Sequence, residues 1–127
     1  MKYSKVFIES FGYELAPNVV TTAELEEKLA PFYEAVGFGT GQLEALTGIK
    51  ERRYWDTVHT LSEHAAIAGQ RALDEANISP DQIGALVYCG VGQDGFEPAT
   101  SCSVADTLHI GETAHIYDVK SACLGMI

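Results

Sequence analysis

The sequence predicts an α/β fold with a mainly parallel sheet, because segments of helical period alternate with short β-branched and aromatic runs. Two sets of residues carry this reading. Thr21 with Glu24, and Thr60 with Glu63, have the spacing of a capping box, and each pair stands ahead of residues that repeat every three or four positions. Ile83 to Cys89 is apolar on both alternating faces, as in a strand buried between helical layers, and His115 to Lys120 reads as a second strand.

In chain order, Lys5 to Phe11 is predicted as a strand, followed by a loop through Pro17 and Asn18. The first capping box opens a helix that places Leu25, Leu29, Phe32 and Val36 on one face, and Gly37, Gly39 and Gly41 close it. Gln42 to Leu46 leads into Thr47-Gly48-Ile49-Lys50-Glu51-Arg52-Arg53-Tyr54-Trp55. The second box opens a long helix with Leu61, Ala65, Ala68, Ala72 and Ala76 in one stripe, where alanine implies close packing. Ser79-Pro80-Asp81-Gln82 is a short helix start, with Pro80 suited to a first helical position. Gly90 to Gly95 is a loop and Pro98 to His109 a helix that stops near Gly111.

Composition excludes several classes of function. With 127 residues and 46% hydrophobic content, the chain is one domain or part of one and can bury a core. Eighteen acidic against eight basic residues give a charge of −10, which argues against nucleic acid and anionic membranes as partners. Cys89, Cys102 and Cys123 form no CxxC pair and leave one over, so neither a metal site nor a disulfide framework is expected, and a reducing cytoplasm fits. Lys2 and Lys5 precede an apolar stretch broken by Glu9, which gives no signal-peptide core, and no run approaches a membrane span. Cys89 and Cys102, both in apolar settings, are expected in the core.

Cys123 is different. Tyr117 to Lys120 delivers it into a turn of small residues, Ala122 and Gly125, where a strand is expected to hand over to a helix. Helix N–H groups favour thiolate, and small neighbours let a substrate carbonyl approach sulfur and backbone donors. The chain ends four residues later, and the expectation is that it forms the front part of a longer polypeptide.

Three landmarks occur in order: Thr47-Gly48-Ile49-Lys50-Glu51-Arg52-Arg53, Asp81-Gln82-Ile83-Gly84 ahead of a strand, and Asp118 through Gly125 around the cysteine. With them the sequence resembles, over essentially its whole length, the thiolase-superfamily condensing enzymes of the ketoacyl synthase III type. The resemblance implies that residues 1–127 form the N-terminal half of a thiolase-like fold, and that Cys123 accepts an acyl group from a thioester. Glu97, in Phe96-Glu97-Pro98-Ala99-Thr100, matches the non-decarboxylating OleA-type branch, which joins two fatty acyl-CoAs head to head. There a glutamate contributed across the dimer interface acts as base, and an apolar cleft would raise its pKa toward that task.

Phe96 belongs to the expected substrate-binding set, and the clustered cations Lys50, Arg52 and Arg53 suit the phosphates of CoA or else form a solvated charge cluster. Typical ketoacyl synthase III enzymes stack a tryptophan on adenine ahead of the Thr-Gly-Ile motif, where this chain has Gln42. The histidine and asparagine that complete the family's site lie beyond residue 127. His59, His64, His109 and His115 do not occupy those positions, so the fragment alone is expected to be inactive. The implied protein is a cytoplasmic homodimeric acyltransferase with no cofactor, using acyl-CoA or acyl carrier protein thioesters as substrates and completed by the remaining half of the polypeptide. Two alternatives stand beside it: a decarboxylating synthase that uses malonyl on acyl carrier protein, and a non-catalytic subunit or binding module of the same fold.

Overall fold

Thr60 and Glu63 form the second predicted capping box in full: the Thr60 hydroxyl accepts from the Glu63 amide and the Glu63 carboxylate accepts from the Thr60 amide. The helix they open, Leu61–Ala76, ends at Asn77, which takes the left-handed conformation of a C-cap. These features belong to a computed structural model that describes residues 4–126; Lys2 and Ile127 of the sequence reading lie outside the described residues. The described residues divide into a larger unit, residues 4–14 with 59–126, and a smaller one, Leu15–Val58.

In the smaller unit, strand β1 (Asn18–Thr21) pairs antiparallel with β2 (Glu51–Tyr54), Val20 facing Arg52 and Thr21 facing Glu51. The sequence reading has β1 as a loop. Between the strands run helices α1 (Thr22–Lys28), α2 (Ala30–Val36) and α3 (Gln42–Thr47). The first capping box is present at Thr21 and Glu24, and hydrogen bonds from the Thr21 backbone and side chain hold the Glu24 carboxyl below its ordinary range. The single helix predicted from this box is two, because Pro31 sits in the first turn of α2 and cannot supply the amide that a continuous helix needs. The predicted apolar face is largely exposed: Leu29, Phe32 and Val36 face outward, and Thr22 and Glu26 are the buried residues of α1.

In the larger unit the long helix becomes α4 (Leu61–Ala76), followed by a 3-10 turn at Pro80–Gln82, strand β3 (Ala85–Cys89), helix α5 (Thr100–Thr107) and strand β4 (His115–Val119). β3 and β4 are parallel, with Ala85 opposite His115 and Cys89 opposite Val119. The core lies between helices and sheet: Ala66 of α4, Val104 of α5 and Leu108 are buried, with Ala65, Leu86 and Ile110 packed on them. The arrangement is α/β, as predicted.

Three sequence expectations are corrected here. Residues 5–11 run as irregular chain without ladder partners among the described residues, and Val6, Phe7 and Ile8 are exposed. β3 is covered on one side only among the described residues, so Leu86 and Tyr88 are half-buried while Ala85, Val87 and Cys89 are exposed. Cys89 and Cys102 are therefore exposed rather than core, Cys89 on the uncovered face of the sheet and Cys102 on the outer side of α5. A two-layer arrangement leaves alternate residues of each strand without cover.

Candidate active site

Both loops that carry predicted site residues leave the carboxyl ends of the two parallel strands, the end at which open α/β sheets bind ligands. β3 runs into the loop of residues 90–99, which bears Phe96 and Glu97, and β4 runs through Lys120 and Ser121 to Cys123. Cys123 is exposed and sits in a three-residue 3-10 turn, Ala122–Leu124. The longer helix expected at this point is a single short turn among the described residues. Ala122 has a positive φ of 49°, a conformation unfavourable for a residue with a Cβ, and it turns the chain immediately before the sulfur. Gly125 then approaches the strand ends so closely that a Cβ there would lie 3.2 Å from the Cβ of Cys89 and 3.4 Å from the Val119 carbonyl. A side chain here would require the Cys89 side chain or the turn to give by a few tenths of an ångström.

Two carboxylates fix these loops. Asp118, in β4, accepts hydrogen bonds from the amides of Thr100 (3.0 Å) and Ser101 (2.8 Å), and so caps α5, whose own N-cap, Ala99, has no side chain for the task. Burial works against its ionisation, but the bonds from Ser101 and Thr100 and the nearby Lys120 outweigh it and hold the Asp118 carboxyl below its usual range. Asp94, in the loop after β3, accepts from the amides of Leu61 (2.7 Å) and Ser62 (3.3 Å) at the start of α4, while its own amide donates to the Thr100 hydroxyl at 3.3 Å. Tyr88 donates its hydroxyl to the Gly92 carbonyl, and burial, with Asp94 and Asp118 nearby, raises its pKa, so it remains a neutral donor. Lys120 donates to the Gln93 side chain, a second tie between the two loops.

Glu97 and Phe96 project from this frame. Phe96 is 93% exposed, and Glu97 is exposed as well, so the apolar cleft expected around the carboxylate is not formed by the described residues. The loop that carries Glu97 contributes nothing to the helix–sheet core, and the described residues place no apolar wall around it.

In the smaller unit, the Thr22 amide donates to the Lys50 carbonyl (2.8 Å) and the Thr22 hydroxyl to the Ile49 carbonyl, which anchors the basic motif to α1. Lys50 is exposed and Arg52 is partly buried. Arg53 follows Arg52 in β2 and points to the opposite face; its guanidinium donates to the Ala16 carbonyl and lies 3.9 Å from Glu51. The three cations thus form no single cluster, and Arg53 is committed within its own unit. Gln42 is the first residue of α3, whose start is capped by Glu26: that carboxylate, 3% exposed, accepts from the Gly41 (2.6 Å) and Leu43 (2.7 Å) amides.

The caps by Glu26, Asp94 and Asp118 were missed in the sequence. Their partners lie 15, 33 and 17 residues away, and no local spacing marks such a pair. The predicted capping boxes were legible because both members lie within four residues.

No protein-family model matches the chain. It is 50% identical over all of its 127 residues to an acyl-CoA:acyl-CoA alkyltransferase of Shewanella oneidensis and spans 36% of that protein's length. The crystal structure of cerulenin-bound OleA from Xanthomonas campestris superposes with a TM-score of 0.85 at 35% identity, covering 93% of this chain and 34% of that one. The crystal structure of a 3-oxoacyl-(acyl carrier protein) synthase III from Xanthomonas oryzae gives 0.84 at 35% identity, covering 93% and 35%. The fold is thus thiolase-like, similar to that of the 3-oxoacyl-(acyl carrier protein) synthase III and OleA structures. The chain spans about a third of the length of the relatives it matches.

Proposed function

We propose that this chain is part of an acyltransferase that makes a carbon–carbon bond by Claisen condensation of two acyl thioesters. The observation that carries the reading is the exposed cysteine in a tight turn at the carboxyl end of β4, in a chain half identical to an acyl-CoA:acyl-CoA alkyltransferase. The Cys123 sulfur attacks the carbonyl of a fatty acyl-CoA, the C–S bond to CoA breaks, and the acyl group becomes a thioester on Cys123, which divides one difficult step into two. Backbone amides close to Cys123 stabilise the oxyanion, together with groups outside the chain.

Glu97 then removes an α-proton from a second acyl thioester. The resulting carbanion attacks the acyl-enzyme carbonyl, expels the Cys123 thiolate and gives a β-keto thioester. Exposure of Glu97 fits contribution of this carboxylate to a site in a partner subunit, where an apolar wall would be supplied on association. Phe96 beside it would enter the same acyl-binding region, and Lys50 with Arg52 would meet the phosphates of CoA.

The test is Glu97→Gln in the complete protein. Acyl transfer to Cys123 should persist while condensed product falls by about a hundredfold or more; loss of both steps, or of neither, would count against the assignment. The equal structural likeness to a 3-oxoacyl-(acyl carrier protein) synthase III supports a second reading, decarboxylative condensation with malonyl on a carrier protein. Product formation that requires malonyl thioester would select it.

A further inference from the structure

We propose that Cys89 and Gly125 are a positioning pair for Cys123: the turn that carries the nucleophile is seated on the last rung of the parallel sheet, and the missing side chain at 125 sets how closely it sits. This rests on the condensation reading and adds to it two residues that act through Cys123. The chain leaves the sheet at Val119, whose register partner is Cys89. At Gly125 it comes back to the same rung. Gly125 has φ −61° and ψ −21°, a right-handed conformation open to any residue, so its own backbone does not call for glycine. Its surroundings do. The place of a Cβ there is bounded by the Cβ of Cys89 at 3.2 Å, the Val119 carbonyl at 3.4 Å and the Cα of Cys89 at 3.6 Å, all of them atoms of that one rung. Within the turn, the Leu124 amide donates to the Ser121 carbonyl (3.0 Å) and the Gly125 amide to the Ala122 carbonyl (3.4 Å), and both bonds span Cys123. A turn closed on itself in this way passes a displacement at Gly125 on to the residue that bears the sulfur. Cys89 thus has a use in which its thiol takes no part, since its Cβ and Cα are the atoms of it that lie nearest Gly125.

The experiment compares wild type, Gly125→Ala, Cys89→Gly and the double variant in the complete protein. Acylation of Cys123 in a single turnover is followed by intact mass over a range of long-chain acyl-CoA concentrations, and the midpoint of denaturant unfolding is measured for each protein. A methyl group at 125 moves the turn by a few tenths of an ångström. The saturating acylation rate should therefore fall about three- to tenfold, while the half-saturating acyl-CoA concentration stays within about twofold. Removing the Cβ at 89 makes room for that methyl group. In the Cys89→Gly background, Gly125→Ala should change the saturating rate by less than about twofold and lower the midpoint less than it does in wild type. A glycine with a merely structural role would lower the midpoint and leave the saturating rate of the folded protein unchanged. That outcome, or equal effects of Gly125→Ala in the two backgrounds, would overturn the pairing. If Gly125→Ala does not fold, Cys89→Val crowds the same gap from the strand and should give the same slower rate at unchanged half-saturation; a wild-type rate would overturn the pairing. If wild type takes up no acyl group the condensation reading falls, and the midpoints alone then decide whether the two residues are coupled.

Discussion

Glu26 shows how much one side chain can carry. Its buried carboxylate satisfies two of the amides that begin α3, and its removal takes the protein partner from both donors. Glu26→Ala should destabilise by about 1–3 kcal/mol, read as a lower midpoint of denaturant unfolding with an unchanged slope. A change within a few tenths of a kcal/mol would mean that water replaces the cap. Asp118 adds a pH dependence of known sign. Its carboxyl is held below the usual range in the folded state, so its contribution is complete above that range and is lost as the pH falls through the folded value. Melting temperature should therefore drop more steeply below about pH 4 in wild type than in Asp118→Asn. Parallel curves would contradict the assigned hydrogen bonds.

At the scale of elements, the long helix α4 and the chain preceding it depend on a glycine. Gly12 lies against the backbone of α4, where a Cβ would clash with the Ala68 carbonyl and come within 2.6 Å of the Ala72 amide nitrogen. Ser10 donates to the Ala72 carbonyl (2.8 Å), and Arg71 pairs with Glu14, so residues 10–14 are fastened along the helix. Gly12→Ala should cost about 1–3 kcal/mol and speed hydrogen exchange in residues 5–14; unchanged exchange there would show that the chain accommodates a methyl group by a small shift. The predicted alanine stripe thus had a use beyond packing helix to sheet, since Ala68 and Ala72 leave room for the close approach of Gly12. Elements whose signals are local were legible: two capping boxes, the parallel strands and the short turn at Ser79. β1 was not, because four residues without a turn signature become a strand only by pairing with β2. The strand expected at residues 5–11 failed for the complementary reason, having the residues of a strand without a partner ladder among the described residues.

For the whole molecule, charge and cover explain what the sequence could and could not show. Of its eighteen acidic residues, Glu26, Asp94 and Asp118 serve as caps between distant segments, so part of the −10 charge is structural rather than a surface for partners. Cys123 was legible as a nucleophile candidate from small neighbours and the strand ahead of it. The exposure of Glu97 was not, because an apolar wall is built by segments distant in sequence, and the described residues place none around its loop. Cys89 was misplaced because an apolar strand reads as buried on both faces, and the described residues cover only one. Cys123 as an acyl acceptor is the claim on which the functional account turns. Intact mass of the complete protein, recorded after brief incubation with a long-chain acyl-CoA and denaturation, followed by peptide mapping, tests it most directly. An adduct of one acyl group on Cys123 is the expected result; a complete protein that takes up no acyl group, or carries it on Cys89 or Cys102, would contradict the account.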